Sequence, residues 1–428
     1  MYELDGCRAD QLERKNSWMT VAEQSITEKR DLRTGTPVWA AYRQSPIATQ
    51  VLLAPLKTEL LIVGAGITGA LLAEAASAKG LSTILIDRRP PGHGSTAAST
   101  ALLQFEIDTP LIHLAADIGL ETASRIWRRS FRAVQDLVHL VQRLQVPCDF
   151  ADRRALYLAG NRLNAAEIEE EGRLRRGAGL PSPFLTHTDL VGMTGIDREA
   201  ALLSQGSAEV NPVQLTAGLL SRALSRGCRV FAPAELAEVV ASSSKVAMVT
   251  TEGVEMEAKT LVFATGYELA DGVPAAGHRR TSTWAFATPP QPRAIWGSAE
   301  LIWEASDPYL YIRSTSDGRV VVGGEDEDVT DEATRDALLP SKVATLQKKT
   351  KALLPWLDAT ADFAWAGTFG ESENGLPSIG ALPDMPNCYA VLGYGGNGIT
   401  FGMIAAQIIA SRICGRPDPD EQLFAFER

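Results

Sequence analysis

The stretch ELLIVGAGITGALLAEAASAKGLSTILIDRR, residues 59 to 89, constrains the fold more than any other part of the chain. Leu60 to Val63 is a short apolar run of the kind a buried parallel strand shows. Gly64, Gly66 and Gly69 follow in G-x-G-x-x-G spacing. Gly64 permits a tight turn, Gly66 lets backbone approach a pyrophosphate, and Gly69 lets the next helix pack close on the strand. The pattern predicts a helix from Ile67 to Lys79, stopped at Gly80. A second strand, Ser82 to Ile86, closes in Asp87, where a ribose hydroxyl pair would be held. The helix N-terminus favours the negative pyrophosphate. In a chain with 36 glycines a lone glycine spacing is weak. Here the strand before, the helix after and the acid all agree on a dinucleotide site. Asp87 argues against NADP, whose 2′-phosphate it would repel; Arg88 and Arg89 partly offset that argument.

At 428 residues the chain is long enough for a large core and two domains. Its net charge of −11 argues against nucleic acid or anionic lipid as a partner. No apolar run reaches the roughly 18 residues of a membrane span. Glu3, Asp5 and Asp10 at the start do not resemble a secretory signal, so a cytoplasmic location is expected. The cysteines, Cys7, Cys148, Cys228, Cys388 and Cys414, are scattered and are expected as free thiols. The histidines show no ligand spacing, so no metal is expected.

Along the chain, residues 1 to about 56 precede the nucleotide fold. The first thirty or so are polar and expected to be partly disordered, whereas Trp39 and Tyr42 suggest that the later part docks on the body. Residues 90 to 104, PPGHGSTAASTALLQ, are small and polar. They read either as a flexible surface loop or as a loop whose backbone and hydroxyls line a bulky flat cofactor. Residues 111 to 145 have a helical pattern, 154 to 159 read as a strand, 164 to 178 as a helix, and 181 to 208 as loop-rich. Asn211 and Pro212 open a helix that Gly227 ends. A β-meander and the buried strand of TLVFATG, 260 to 266, follow. Residues 279 to 350 are strand-rich and then helical. The tail holds the strand YAVL, the loop GYGGNG and a helix from Ile399 to Ile413.

GAGITG with Asp87, AEVNP, TLVFATG, GRVVVGGEDE, WAGTFGESENGLPSIG and GYGGNGI stand in that order between residues 58 and 415. In this order they resemble the D-amino-acid oxidase, glycine oxidase and sarcosine oxidase superfamily. The amino-terminal part looks more like the γ-glutamylputrescine oxidase branch. The resemblance implies an α/β fold: a Rossmann-like FAD-binding domain in discontinuous segments, with an inserted mixed or antiparallel-sheet substrate domain. The segments expected are an extension at 1–56, FAD-binding parts at 57–150, 208–277 and 362–428, and substrate parts at 151–207 and 278–361. It implies noncovalent FAD and oxidation of a C–N bond of an amine or amino acid. Hydride would pass to flavin N5, the imine would hydrolyse, and oxygen or another electron acceptor would reoxidise the flavin. Association into a homo-oligomer is left open. His93 and the cysteines lack the context of a covalent flavin link.

On the same resemblance, FAD contacts fall to Gly64, Ala65, Gly66, Ile67, Thr68, Gly69, Asp87, Arg88 and Arg89, then to Ser95, Thr96, Ala97, Ser99 and Thr100. Leu236, Ala264, Thr265, Gly266, Gly367, Gly393, Gly395, Gly396, Asn397, Gly398, Ile399 and Thr400 complete the set. The helix after GYGGNG would aim its N-terminal N–H groups at the flavin N1–C2 edge, where charge develops on reduction. Tyr309, Tyr311 and Arg313 alternate along PYLYIR and share a strand face. An arginine between aromatics suits a substrate carboxylate; the competing reading is an arginine on a solvated sheet face. Trp303, Trp365, Phe369 and Tyr394 are candidates for the cavity wall or for plain core. Other readings are a dehydrogenase with a quinone or protein acceptor and a flavin-carrying subunit of a larger complex. An NAD-dependent dehydrogenase would leave the tail motifs unexplained.

Overall fold

The computed structural model describes residues 24–291 and 295–428. Cys7 and the expectations for residues 1–23 lie outside the described residues. Among the described residues two sheets carry the fold. The smaller has eight strands, six of them in the order Ser378–Ala381, Cys388–Leu392, Glu255–Phe263, Leu56–Val63, Thr83–Ile86, Arg229–Phe231. The last five of these run parallel. Within these strands Leu60–Val63 and Thr83–Ile86 are buried, which is why Leu60–Val63 reads as a short apolar run. Leu236–Ala241 and Val246–Thr250 extend this sheet as an antiparallel meander onto Glu255–Phe263.

The helix Ile67–Ala78 packs between the helices Pro212–Ser225 and Gly398–Ile413. A Cβ at Gly69 would collide with the Gly64 carbonyl oxygen, so glycine is required for the helix to sit on its strand. Gly64 itself has φ +110° against the Ala264 carbonyl, the left-handed turn the sequence implies. Asn211 caps its helix through Val213 N and Gln214 N at 3.1 and 3.2 Å, with Pro212 at the first position.

The larger sheet has ten strands. Nine run in the order Arg33–Gly35, Phe363–Ser372, His278–Ala287, Val320–Glu327, Leu310–Ser314, Leu301–Glu304, Ala151–Leu158, Ala200–Glu209, Leu102–Leu103; Phe184–Thr186 adds to Ala200–Glu209. This sheet corrects several expectations. The segment 181–208 is not loop-rich: it holds Phe184–Thr186, the helix His187–Thr194 and most of Ala200–Glu209. The last strand is buried along most of its length, so it lacks polar alternation, and its serines and glycine imitate a loop. Phe363–Ser372, from the segment expected at 362–428, pairs with His278–Ala287, from the segment expected at 278–361. Leu102–Leu103 and Arg33–Gly35 join the same sheet from the segments before it.

The segment from residue 24 onward docks as Trp39 suggested. Trp39 is buried and donates to the Ser99 carbonyl at 2.7 Å, and the Tyr42 hydroxyl donates to Asp317 at 2.7 Å.

Candidate active site

One continuous cavity is lined by both sheets. At one end lie Gly64, Gly66, Ile67 and Thr68 of the glycine turn and helix start, with Asp87, Arg88, Arg89, Glu235, Leu236, Ala264, Thr265 and Gly266. At the other lie Thr283, Trp303, Tyr309, Tyr311, Asp326 and Phe369. Between them run Ser95, Thr96, Ser99 and Thr100, Gly367, and the loop and helix start Tyr394 to Thr400.

Asp87 fastens the turn. Its two oxygens accept from Ala65 N at 2.7 Å and Arg89 N at 2.8 Å, while burial raises its pKa. Each oxygen keeps a lone pair for a ribose hydroxyl. Thr96 Oγ1 accepts from Ile67 N at 3.0 Å, so the glycine turn and the polar loop hold each other. Arg88 and Arg89 border the cavity but are already engaged. Arg89 meets Glu268 at 2.6 and 2.7 Å, and Arg88 donates to the Glu28 carbonyl at 2.7 Å.

The loop after Gly94 is pinned from outside, not flexible. Trp365 Nε1 donates to the Ala98 carbonyl at 2.8 Å and Trp39 Nε1 to Ser99 at 2.7 Å. Arg313 Nη1 donates to Thr100 at 3.3 Å and to Ala101 at 2.9 Å. Four consecutive carbonyls thus point away from the cavity side chains of Ser95, Thr96, Ser99 and Thr100.

That pinning corrects the reading of Arg313. Its guanidinium is fully buried, also donates to the Val210 carbonyl at 2.8 Å, lies 3.6 Å from Glu209, and does not line the cavity. It shares a strand face with Tyr311, but the loop at 100–101 covers it. Trp365 is likewise core and not cavity wall, whereas Trp303, Phe369 and Tyr394 do line the cavity. Ala65, Gly69, Ala97 and Gly393 stand behind the lining; a Cβ on Gly393 would meet the His278 ring.

Residues the motifs do not cover complete the site. Thr27 and Leu32 reach it from the docked segment, and Glu268 and Tyr267 from the loop after Gly266. Gln104, Glu106 and Asp108 line it, while Phe105 and Ile107 between them are fully buried. That polar–apolar alternation was legible in QFEID. Asp108 Oδ2 accepts from Gly396 N at 2.8 Å, and burial lifts its carboxyl to about 6. Asp326 sits beside the Thr283 and Tyr309 hydroxyls, and burial lifts it to about 7. Trp303 stacks on Tyr157 with ring centroids 3.9 Å apart. Among the described residues, the lining includes no histidine and no cysteine, and His, Cys, Asp and Glu form no group that could hold a metal ion. No helix of the described residues is long and apolar enough to cross a membrane.

Residues 59–412 match the DAO family, described as FAD dependent oxidoreductase. The chain belongs to this family. It is 22% identical to glycine oxidase of Geobacillus kaustophilus (strain HTA426), over 83% of this chain and 92% of that protein. A solved glycine oxidase from Geobacillus kaustophilus superposes with a TM-score of 0.70 at 20% identity, covering 87% of this chain and 99% of that one. L-proline dehydrogenase from P. horikoshii superposes at 0.71 and 16% identity, covering 87% and 97%. A bifunctional tRNA 5-methylaminomethyl-2-thiouridine biosynthesis protein, MnmC of Ralstonia nicotianae (strain ATCC BAA-1114 / GMI1000), is 24% identical over 85% of this chain, which spans 58% of its length. Membership of the DAO family makes FAD the cofactor and redox chemistry the activity.

The cavity fits such a group. Gly66, Gly266 and Gly398 offer bare backbone along it, two helix N-termini face it, and the buried Gln104 Nε2 has no protein partner.

Proposed function

We propose that the protein oxidises the C–N bond of an amine or amino acid. The observation that carries this reading is the single cavity joining the glycine turn to the aromatic chamber of Trp303, Tyr309 and Tyr311. Gly64, Gly66, Ile67, Thr68, Asp87 and the loop residues Ser95, Thr96, Ser99 and Thr100 would hold the nucleotide portion, and Leu236 and Ala264 to Gly266 would flank it. Gly367 and Gly395 to Thr400 hold the ring. Bound there, FAD supplies a hydride acceptor. The first turn of the helix Gly398–Ile413 presents N–H groups that lack partners within the helix, and their partial positive charge would stabilise negative charge on a ring held beside them. Tyr309 and Tyr311, with rings 5.6 Å apart, wall the chamber and exclude water from the reacting carbon. Their hydroxyls are pushed above their ordinary pKa by burial and act as donors. Among the described residues the lining includes no histidine or cysteine, which supports noncovalent binding.

Oxygen is the acceptor in this reading. A dehydrogenase with a quinone or protein acceptor is the second reading, supported by the likeness to L-proline dehydrogenase. The test is an absorbance spectrum of the purified protein, followed without air as glycine, sarcosine, D-amino acids, proline, putrescine and γ-glutamyl amines are added. Bleaching near ~450 nm by any of them supports C–N oxidation. Readmitted air restores the band in an oxidase and leaves a dehydrogenase reduced. A protein that takes up no FAD contradicts the reading.

A further inference from the structure

Among the described residues, the lining at the chamber end carries three carboxyl groups and no lysine, arginine or histidine, and Arg162 reaches only the Asp108 carbonyl, at 3.3 Å, from outside that lining. The carboxyls are those of Glu106, Asp108 and Asp326, and the cavity's only arginines, Arg88 and Arg89, sit at the opposite end, engaged by Glu268. Arg313, the one cation the strand pattern offers to a substrate carboxylate, is buried behind the loop on four backbone carbonyls. Glu106 is 2% exposed, and neither of its oxygens makes a hydrogen bond of proper geometry. Its nearest cation, Arg175, lies 3.7 Å away and is shared with Glu171 at 2.7 Å. Asp326 Oδ1 is buried without a partner, and no ion pair reaches Asp326 or Asp108 among the described residues. Lys342, close in sequence space to this strand, is directed to Glu327 and Glu325 instead. The buried Trp303 Nε1 is also unpartnered.

An α-amino acid would place its carboxylate among three carboxyl groups with no cation to meet it. Like charges brought together in a partly dry site repel. A positive group would instead pair with Asp108 and Asp326, which no ion pair reaches among the described residues, and with Glu106, whose cation Arg175 is shared with Glu171. We propose that the substrate is an aliphatic amine carrying a second cationic group and no carboxylate, that is, a diamine or polyamine. Its distal ammonium sits among Glu106, Asp108 and Asp326, and its reacting C–N bond lies toward the loop Tyr394 to Gly398. This rests on the C–N oxidation proposed above.

The experiment uses the FAD-loaded protein. Binding without turnover is read from the perturbation of the flavin absorbance by 1,4-bis(trimethylammonio)butane and by acetate; turnover is read from anaerobic bleaching by putrescine, glycine and D-alanine. The dication is expected to bind at least about tenfold more tightly than acetate, and putrescine to bleach the flavin faster than either amino acid. Asp326→Asn and Glu106→Gln are each expected to weaken the dication about tenfold while sparing acetate. The melting temperature and FAD content of each variant show that it is folded, and either variant alone suffices. Acetate binding as tightly as the dication, or glycine or D-alanine bleaching as readily as putrescine, overturns the inference while leaving C–N oxidation standing. Failure of every amine and amino acid to bleach the flavin overturns both.

Discussion

Arg313 shows how far a side chain's role depends on what stands in front of it. Period-two alternation places Tyr309, Tyr311 and Arg313 on one strand face, and that much is legible. How deep the cavity runs along that face is not, because the loop closing it comes from residues 100 and 101, over two hundred positions away. Arg313→Met keeps much of the volume but leaves the carbonyls of Thr100, Ala101, Val210 and Ser314 without their donor. It is expected to cost about 3 kcal/mol and to lower FAD affinity, seen as a drop in melting temperature and flavin content. The ratio of KM for an acidic to a neutral amine should not change; a selective rise for the acid would restore the carboxylate role. Asp326 offers a second residue-scale test. Burial raises its carboxyl from 3.8 to about 7, so the protonated form favours the fold. Its contribution is fully present below 3.8 and is lost as pH rises through about 7. Asp326→Asn should therefore raise the melting temperature of the FAD-free protein at pH 8 more than at pH 5. An equal change at both would contradict the assigned burial.

At the scale of elements, the sequence was most readable where local chemistry is complete. The glycine turn, its helix to Ala78 and the strand before Asp87 need only neighbouring residues, and they lie within a residue or two of expectation. Asn211 is readable for the same reason, since a cap is satisfied by its own helix. Its replacement, Asn211→Ala, is expected to lower stability by about 1 kcal/mol, measured as a shift in the urea midpoint. No shift would mean that the orphan N–H groups find water instead. Ala200–Glu209 was misread because its strand identity comes from partners on both sides, Ala151–Leu158 and Phe184–Thr186. Small side chains suit a strand wedged there, and the same residues in isolation resemble a loop. Gln104, Glu106 and Asp108 were legible as an alternating strip but carried no family motif, so the acidic wall emerged only when the strip met Asp326 across the cavity.

At the scale of the whole molecule, the segment from residue 24 to 42 ties the two sheets together beside the cavity. Thr27 bridges to Ala270 next to the smaller sheet, Arg33–Gly35 pairs with Phe363–Ser372 of the larger, and Thr27 and Leu32 line the cavity between these contacts. Arg30 N donates to Glu268 at 2.9 Å, the carboxylate that also holds Arg89. Trp39 then locks the segment onto the pinned loop, with Arg313 5.4 Å from its ring. A cofactor filling the cavity touches both sheets and this tie together, so binding should stiffen all three. Ligand at a hundred times its Kd adds about 2.7 kcal/mol to the stability of the folded state. Excess FAD is thus expected to raise the melting temperature and to slow proteolysis within residues 24–50. Trp39→Ala removes a buried ring, costing about 3–5 kcal/mol, and frees the loop carbonyl at Ser99. In that variant FAD should protect the segment much less at equal concentration, because the loop that lines the cavity has lost one of its pins. Full protection in Trp39→Ala would show that the tie supports the fold but not the cofactor site.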